Sequence, residues 1–182
     1  MVLRRGAGSS YDPVIDATEY RDVIGHFATG VAIVTCQGED GPAGLTTNAV
    51  TSLSLDPLLL LVAFDNTSRT LPAVRSARRF AVNVLRAGQE DLAAVFASKR
   101  VAREKFESVT HTVAHGVPVL DDALAWVACE LVELLPGGDH TIGIGSVIAG
   151  AASEGEPLVF HRGAYVGVQL ERPRGTPRGP GH

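Results

Sequence analysis

The sequence contains only two cysteines, Cys36 and Cys129, and both stand inside apolar runs. Neither belongs to a CxxC pair or to a cysteine–histidine spacing typical of zinc, so we expect buried free thiols and no metal centre, with a disulfide as the open alternative. No apolar run approaches the roughly 20 residues that a membrane-spanning helix requires, and the N-terminus lacks the apolar core of a signal peptide. These absences favour a cytoplasmic protein without a membrane partner.

An excess of positive charge is also missing, because the formal net charge of the 182-residue chain is −4. The chain therefore lacks the electrostatic footprint of a nucleic-acid-binding protein. With 45% hydrophobic and 20% charged residues, the composition is that of an ordinary soluble globular protein. We expect a mobile arm over residues 1–15, one domain over residues 16–170 and a disordered tail over residues 171–182.

Several common catalytic motifs are absent. The Gly-Ile-Gly at residues 143–145 lies inside a predicted strand and lacks the strand–turn–helix context of a dinucleotide fingerprint. The chain has no GxxxxGK[ST] loop and no GxSxG elbow. Asp139 and His140 resemble two members of a hydrolase triad, but no serine or cysteine stands in a nucleophile context, which argues against acyl transfer.

Apolar periodicity and turn signals predict about seven strands, with helices at the start and in the middle of the chain. A helix is expected to open at Asp16, with a capping box to Glu19, and to end at Gly30. Residues 58–64 read as a strand buried on both faces, or alternatively as a short buried helix. Tight turns and the absence of βαβ alternation favour a mainly β fold, an antiparallel barrel with a few covering helices.

The stretch at residues 43–57 interleaves apolar residues with small hydroxyl and amide side chains. These polar residues are Thr46, Thr47, Asn48, Thr51, Ser52 and Ser54. Because a buried hydroxyl or amide costs free energy unless it is hydrogen-bonded, the pattern indicates one wall of a site for a flat, polar ligand. A half-exposed strand that uses threonine for its β propensity fits the same pattern.

A polar loop at residues 65–70 precedes a predicted helix, with Pro72 in its first turn. Its Asn66, Ser68, Arg69 and Thr70 would place hydroxyls, a guanidinium and free backbone N–H groups at one helix N-terminus, a sound anion site. A helix cap with nothing bound is the alternative.

His140 follows a Gly-Gly turn and Asp139, and it begins a predicted strand. We expect it at a barrel rim, where ligands enter. The adjacent carboxylate would favour the protonated imidazole, which suits contact with a phosphate or a reduced ring. A turn histidine exposed to water is the alternative.

The order and spacing of seven segments resemble the short-chain flavin reductases, the reductase components of two-component flavin-dependent monooxygenases. The segments are FATGVAIVT at 27–35, GLTTNAVTSLSLDP at 44–57, SRT at 68–70, FAVNVL at 80–85, KF at 105–106, GDHTI at 138–142 and PLVFHRGAY at 157–165. Together they span about residues 17–168, nearly the whole expected domain.

The resemblance implies an FMN-binding type of split β-barrel that holds FMN or FAD non-covalently, usually as a homodimer with sites near the interface. It implies NADH or NADPH as the hydride donor. The product would be free reduced flavin, which reaches an oxygenase partner by diffusion. The expected activity is therefore that of an NAD(P)H:flavin oxidoreductase of the EC 1.5.1 type.

The resemblance also implies a set of flavin contacts. Strand alternation would place Thr46 and Asn48 on one face and Thr47 on the other, so backbone groups near Ala49 must share the binding of the ring edge. The phosphate is expected at residues 68–70, with Ser52 and Ser54 nearby. The full expected set is Thr46, Thr47, Asn48, Ala49, Ser52, Ser54, Asp65, Asn66, Ser68, Arg69, Thr70, Lys99, Lys105 and Phe106, the last three closing over the ribityl or adenosine end.

His140 is the expected catalytic contact, either to the nicotinamide or to negative charge on the reduced flavin. Arg162 and Tyr165 are the further expected contacts to the pyridine nucleotide. Two alternatives stay open at this point. One is an electron carrier that retains FMN and has no nicotinamide site, and the other is a barrel that binds a ligand without redox chemistry.

Overall fold

A computed structural model describes residues 15–107 and 109–168, so the expected tail and all but Ile15 of the expected arm lie outside the described residues. The helices are α1 (Ala17–Gly25), α2 (Thr70–Ala77), α3 (Glu90–Ala97) and α4 (Ala102–Phe106). The strands are β1 (Thr29–Gly30), β2 (Ala32–Gly38), β3 (Gly41–Thr47), β4 (Val50–Leu55), β5 (Leu58–Asp65), β6 (Arg79–Val84), β7 (His111–Ala114), β8 (Val117–Leu120), β9 (Ala125–Gly137), β10 (His140–Ala152), β11 (Leu158–His161) and β12 (Ala164–Gly167).

The main sheet is antiparallel and has the strand order β3-β2-β6-β9-β10-β5-β4. Its two edge strands, β3 and β4, are consecutive in the chain and are joined by only Asn48 and Ala49. The two edges of the sheet therefore meet at this corner, where the N–H of Ala63 donates to the carbonyl of Ala49 at 2.9 Å. A three-stranded sheet (β1-β11-β12) and the β7-β8 hairpin complete the predicted mainly β, antiparallel split barrel.

Two phenylalanine rings occupy the inner core. Phe64 and Phe80 are both fully buried and meet edge to face, with ring centroids 6.2 Å apart. Gly143 and Gly145 on β10 leave room for them, because a Cβ would lie 2.7 Å from the Phe64 ring at the first position and 2.6 Å from the Phe80 ring at the second. Close packing thus accounts for the Gly-Ile-Gly sequence at residues 143–145.

Helices α3 and α4 cover the outer face of the sheet. Phe96 on α3 and Phe106 on α4 pack edge to face at 5.0 Å, in a cluster that includes Ile33 and Leu85. Gly44 on β3 lets α3 approach closely, because a Cβ there would lie 2.8 Å from the Phe96 ring. Side chains on α3 and in the loop after it are thereby brought beside the edge strand β3.

Helix α1 begins as predicted but ends earlier. The carboxylate of Asp16 accepts the N–H of Thr18 at 2.7 Å and that of Glu19 at 2.9 Å, while the Glu19 carboxylate accepts the Asp16 N–H at 2.9 Å, which confirms the capping box. The helix ends at Gly25, with His26 as its C-cap, and not at Gly30. Its apolar residues Tyr20, Val23 and Ile24 are exposed in the single chain, and so is Phe27, which follows the C-cap.

Both cysteines are buried and free, as predicted, and burial raises the pKa of the Cys36 and Cys129 thiols to about 12. Within residues 15–107 and 109–168, no helix is long and apolar enough to cross a membrane.

Three strand predictions were wrong. Residues 43–57 form two strands, because the Asn48–Ala49 corner carries the chain from one edge of the sheet to the other. Residues 58–64 form a strand that is buried on one face only: Leu60, Val62 and Phe64 are buried, whereas their neighbours are partly or largely exposed. The described chain has twelve strands, not about seven, because short strands such as β1 and β7 are too brief to show a period.

Candidate active site

A cavity of about 420 Å³ lies between the edge strand β3, the loop that follows β5 and the loop that joins α3 to α4. We call it the cation cavity, because its walls are Leu45, Thr46, Asp65, Thr67, Ser68, Arg69, Thr70, Ala97, Ser98, Lys99, Arg100 and Lys105. Seven of the fourteen expected flavin contacts meet here, although they come from three separate parts of the chain. The predicted juxtaposition of residues 68–70 with the two lysines is therefore present in the structure.

The loop at residues 65–70 is shaped by its own side chains. The Asp65 carboxylate accepts hydrogen bonds from the hydroxyl (2.7 Å) and the N–H (2.6 Å) of Thr67, and these bonds hold the pKa of Asp65 below its usual range. The Ser68 hydroxyl oxygen accepts the N–H of Thr70 at 3.1 Å, which leaves the hydroxyl proton of Ser68 available to a ligand. The cavity therefore offers one carboxylate acceptor beside several donors.

Lys105 forms the floor of the cation cavity and is only 7% exposed. Its ammonium donates to the carbonyl of Phe96 at 2.9 Å and to that of Gly44 at 3.4 Å. Burial, and to a lesser degree the nearby guanidinium of Arg69, holds the pKa of Lys105 below its usual range. An ammonium has three N–H donors, so one remains for an anion in the cavity.

The corner between β3 and β4 forms a second part of the site. The hydroxyl of Thr47 accepts the N–H of Ala49 at 3.0 Å, and the amide of Asn48 donates to the hydroxyl of Thr29 at 3.1 Å. Two further cavities share Asn48, Phe27 and Thr29 as walls. The mouth cavity, of about 580 Å³, has apolar walls from β2, β4 and β6, and the helix cavity, of about 600 Å³, lies between α1 and the β11–β12 hairpin.

The three residues expected to contact the pyridine nucleotide lie in different places. His140 is paired with Asp65 across strands β10 and β5, and its Nδ1 lies 2.7 Å from the Asp139 carboxylate, whose pKa that contact lowers. Arg162 lines the helix cavity. Its backbone N–H donates to the carbonyl of Gly25 at 2.8 Å, and its guanidinium lies 3.4 Å from the Asp22 carboxylate. In this chain His140 therefore lies on the side of the cation cavity, not beside Arg162.

The third of these residues, Tyr165, packs against Phe160, with ring centroids 5.5 Å apart, at the margin of the core.

Asn66 connects the two loops of the site through hydrogen bonds. Its amide donates to the carbonyl of Gly138 at 3.3 Å, and its carbonyl oxygen accepts the hydroxyl of Thr141 at 2.7 Å. Asn66 thus fixes the loop at residues 65–70 to the hairpin that carries His140.

Two expected placements were wrong for the single chain: that of Ser52 and Ser54 near the phosphate, and that of Phe106 over the ribityl or adenosine end. Ser52 and Ser54 pair with Leu60 and Leu59, and Leu60 is five residues, or roughly 16 Å of strand, from Asp65, so neither serine is near the cation cavity. Phe106 is buried in the cluster under α3 and does not line the cavity. The side chain next to Lys105 is a packing residue.

The expected common face for Thr46 and Asn48 was also wrong. Strand β3 ends at Thr47, so the alternation of side chains does not continue to Asn48. Thr46 lines the cation cavity, whereas Asn48 lines the mouth and helix cavities. The corner separates a polar, charged compartment from two less polar ones.

Sequence reasoning missed several wall residues. Arg100 belongs to the basic stretch that follows α3, and its position beside Lys99 was the available signal. Phe27 and Thr29 stand in the first of the seven quoted segments, and both line the mouth and helix cavities. Nothing in the local sequence indicated that these residues would meet Asn48.

The fold and these cavities define a small antiparallel split barrel with ligand-sized spaces where the edges of its sheet meet. A family model described as "Flavin reductase like domain" matches residues 24–169, and the chain belongs to that family. The resemblance found in the sequence is therefore confirmed.

The chain is similar to two curated proteins at 41% identity. One is the reductase component of the 4-nitrophenol 4-monooxygenase/4-nitrocatechol 2-monooxygenase of Rhodococcus opacus, matched over 83% of this chain and 80% of the relative. The other is the NADH-dependent FMN reductase AsuE2 of Streptomyces nodosus subsp. asukaensis, over 81% and 83%. A solved structure, the Streptomyces globisporus C-1027 NADH:FAD oxidoreductase SgcE6 in complex with NAD and FAD fragments, superposes with a TM-score of 0.80 at 34% identity, over 86% of this chain and 94% of that one.

Proposed function

We propose that this chain is an NAD(P)H-dependent flavin reductase that supplies reduced flavin to a separate monooxygenase. The observation that carries the proposal is the adjacency of two unlike compartments along β3. One is the cation cavity at Thr46, and the other is the amide-lined corner at Asn48. A flavin has the same division into a phosphate end and a planar ring that presents carbonyls and ring nitrogens.

The spacing of the compartments suits a flavin. Thr46 and Asn48 are two residues apart, so their Cα atoms are separated by at most roughly 7 Å, and the five-carbon ribityl chain of a flavin bridges a gap of that order. Arg69 and Lys105 supply charge-assisted donors for a phosphate. Asp65 keeps acceptor capacity for the ribityl hydroxyls beyond its two bonds from Thr67.

In the reaction, NAD(P)H and flavin with one proton give NAD(P)⁺ and reduced flavin, as a hydride passes from the nicotinamide to the flavin ring. The task of the protein is to hold both rings in contact and to exclude water, because the substrates carry the chemistry themselves. Asn48 and the backbone of Ala49 would hold the ring edge. The helix cavity, whose walls include Asn48 and Arg162, offers space for the pyridine nucleotide beside the exposed ring face.

His140 does not line the helix cavity, so its proposed role differs from that of Arg162. It lies across β5 from the corner and close to Asp65, and its imidazole is held by Asp139 at 2.7 Å. An imidazole held this way can stabilise negative charge on the reduced flavin or on a nucleotide phosphate. No general base is required for hydride transfer itself.

The proposal includes a homodimer in the cytoplasm. Large apolar side chains are exposed in the single chain: Val23 on α1 is 64% exposed, Phe27 just after α1 is 71% exposed, and Leu55 on the edge strand β4 is 62% exposed. A second copy would cover such residues. The oxygenase partner would receive reduced flavin by diffusion.

The direct test is NADH and NADPH oxidation by the purified protein with added FMN or FAD. Steady turnover that depends on free flavin supports the proposal. Flavin binding without pyridine-nucleotide oxidation would instead identify an electron carrier, and the absence of flavin binding would identify a barrel with a different ligand. Light scattering on the same sample measures whether the protein is a dimer.

A further inference from the structure

We propose that FAD, not FMN, is the flavin that this site prefers, because Lys99 and Arg100 form a second phosphate subsite opposite Arg69 and Lys105. The inference rests on the proposed flavin reductase function and identifies the substrate of that same site. The relatives bear names that include each flavin, so family membership does not decide between them.

The first wall of the cation cavity can satisfy one phosphate by itself. It offers the hydroxyls of Ser68 and Thr70, the guanidinium of Arg69 and the remaining N–H of Lys105. A guanidinium alone presents five N–H donors in a planar fork that matches phosphate oxygens. A terminal phosphate beside the ribityl chain therefore needs no donor from the other side of the cavity.

The opposite wall carries two more cations. Ser98 shapes this wall, because its hydroxyl donates to the carbonyl of Val95 at 2.6 Å and its oxygen accepts the N–H of Arg100 at 3.4 Å. Lys99 and Arg100 line the cavity, and neither forms an ion pair within residues 15–107 and 109–168. Two unpaired cations thus face a space in which a first phosphate already has its donors.

The charge balance points the same way. Four cationic side chains line the cavity, against the single carboxylate of Asp65, which is itself hydrogen-bonded to Thr67. FMN ends in one phosphate, so it places its whole charge at one position. FAD places two adjacent singly charged phosphates in series, and only such a ligand brings negative charge to both walls.

The geometry gives the orientation of the bound ligand. The phosphate next to the ribityl chain would contact Ser68 and Arg69, which follow Asp65 in the same loop, together with the Lys105 ammonium beside the carbonyl of Gly44. The phosphate that bears the adenosine would contact Lys99 and Arg100. The adenosine would then leave the cavity across the loop between α3 and α4, whose side chains are largely exposed.

The test compares dissociation constants for FAD and FMN, measured by titration of the oxidised flavins without NADH. Wild-type protein, the double variant Lys99→Ala with Arg100→Ala, and the control variant Arg103→Ala are compared. Arg103 is an exposed cation on the neighbouring helix α4 and lines none of the cavities described above. Far-UV circular dichroism of each variant shows that its fold is intact.

We expect wild-type protein to bind FAD at least about tenfold more tightly than FMN, because one charge-assisted contact changes a dissociation constant by about that factor. The double variant should lose roughly tenfold to a hundredfold in FAD affinity, with FMN affinity changed less than about threefold, and Arg103→Ala should change neither. Equal losses for both flavins, or tighter binding of FMN by wild-type protein, would overturn the inference. Because these constants are measured without NADH, absent turnover would count against the proposed function and leave the comparison of flavins decisive.

Discussion

Thr46 on the edge strand β3 donates a hydrogen bond of 2.7 Å to the carbonyl oxygen of Ala93 on helix α3. The bond joins two of the three structural elements that enclose the cation cavity. Since α3 leads directly into the wall that carries Lys99 and Arg100, the Thr46 hydroxyl sets the separation of β3 from that wall.

Replacing Thr46 with valine should therefore affect both stability and binding. We expect a loss of about 1 kcal/mol in the free energy of unfolding, because a partly buried hydrogen bond is removed at nearly constant volume. The dissociation constant for FAD should rise several-fold. Urea denaturation and flavin titration measure the two effects, and Thr46→Ser, which keeps the hydroxyl, is the matched control. A valine variant with wild-type stability would show that the bond does not hold α3.

The loop before α2 makes a separate prediction about the phosphate. The double variant Ser68→Ala with Thr70→Ala removes two hydroxyl donors, so the dissociation constants for FMN and FAD should rise about tenfold or more. Riboflavin lacks a phosphate and serves as the control ligand, and its binding should change less than about twofold. If the double variant binds FMN as wild type does, the phosphate lies elsewhere.

Lys105 predicts how flavin affinity depends on pH. Burial, together with Arg69, holds its pKa below the ordinary value of 10.5, so the ammonium loses its proton at a lower pH in the free protein than in an unfolded chain. A bound phosphate dianion would raise that pKa. Binding would then take up a proton in the pH window between the pKa of Lys105 in the free protein and its higher pKa in the flavin complex.

The ratio of FMN affinity to riboflavin affinity should therefore be constant above about pH 7.5, where the FMN phosphate is a dianion, and should fall as pH rises through that window. The ratio cancels any ionisation of the flavin ring. In Lys105→Arg the cation keeps its charge, so the fall should disappear. A ratio in the wild-type protein that stays constant up to pH 10.5 would contradict the proposed contact.

His140→Ala should affect pyridine-nucleotide use more than flavin binding. We expect kcat/KM for NADH to fall roughly tenfold to a hundredfold, because a hydrogen bond to a charged group is worth about 1.5–3 kcal/mol, and the flavin dissociation constant to change less than about threefold. Steady-state kinetics and flavin titration provide the two numbers. His115→Asn is the control, because His115 is exposed on the β7–β8 hairpin with a φ of 54° that asparagine tolerates. Unchanged kinetics for His140→Ala would remove this residue from the mechanism.

The sequence predicted the elements that local physics governs. The capping box of α1, the buried thiols and the strand identities of the long apolar runs depend on neighbours in the chain, and the structure shows them. Local patterns could not show where the sheet closes. Asn48 and Ala49 look like the middle of one polar strand, and only the pairing of β3 with β2 and of β4 with β5 shows that they form a corner.

The site shows the same division between local and long-range information. Residues 68–70 were predicted to form an anion site because hydroxyls and a guanidinium stand together at a helix start, and in the structure they line the cation cavity. Ser52, Ser54 and Phe106 were misplaced because their neighbours in space are set by strand register and by the packing of α4 under α3. Arg100 was missed because its position beside Lys99, the available signal, does not tell which residues of the basic stretch line the cavity.

The most direct test of the flavin site is a crystal structure of the protein with FAD bound. We expect the ring edge against Asn48 and the backbone of Ala49, the phosphates in the cation cavity, and one ring face open toward the helix cavity. A ring bound elsewhere, or a ring whose open face is covered by the chain itself, would contradict this expectation.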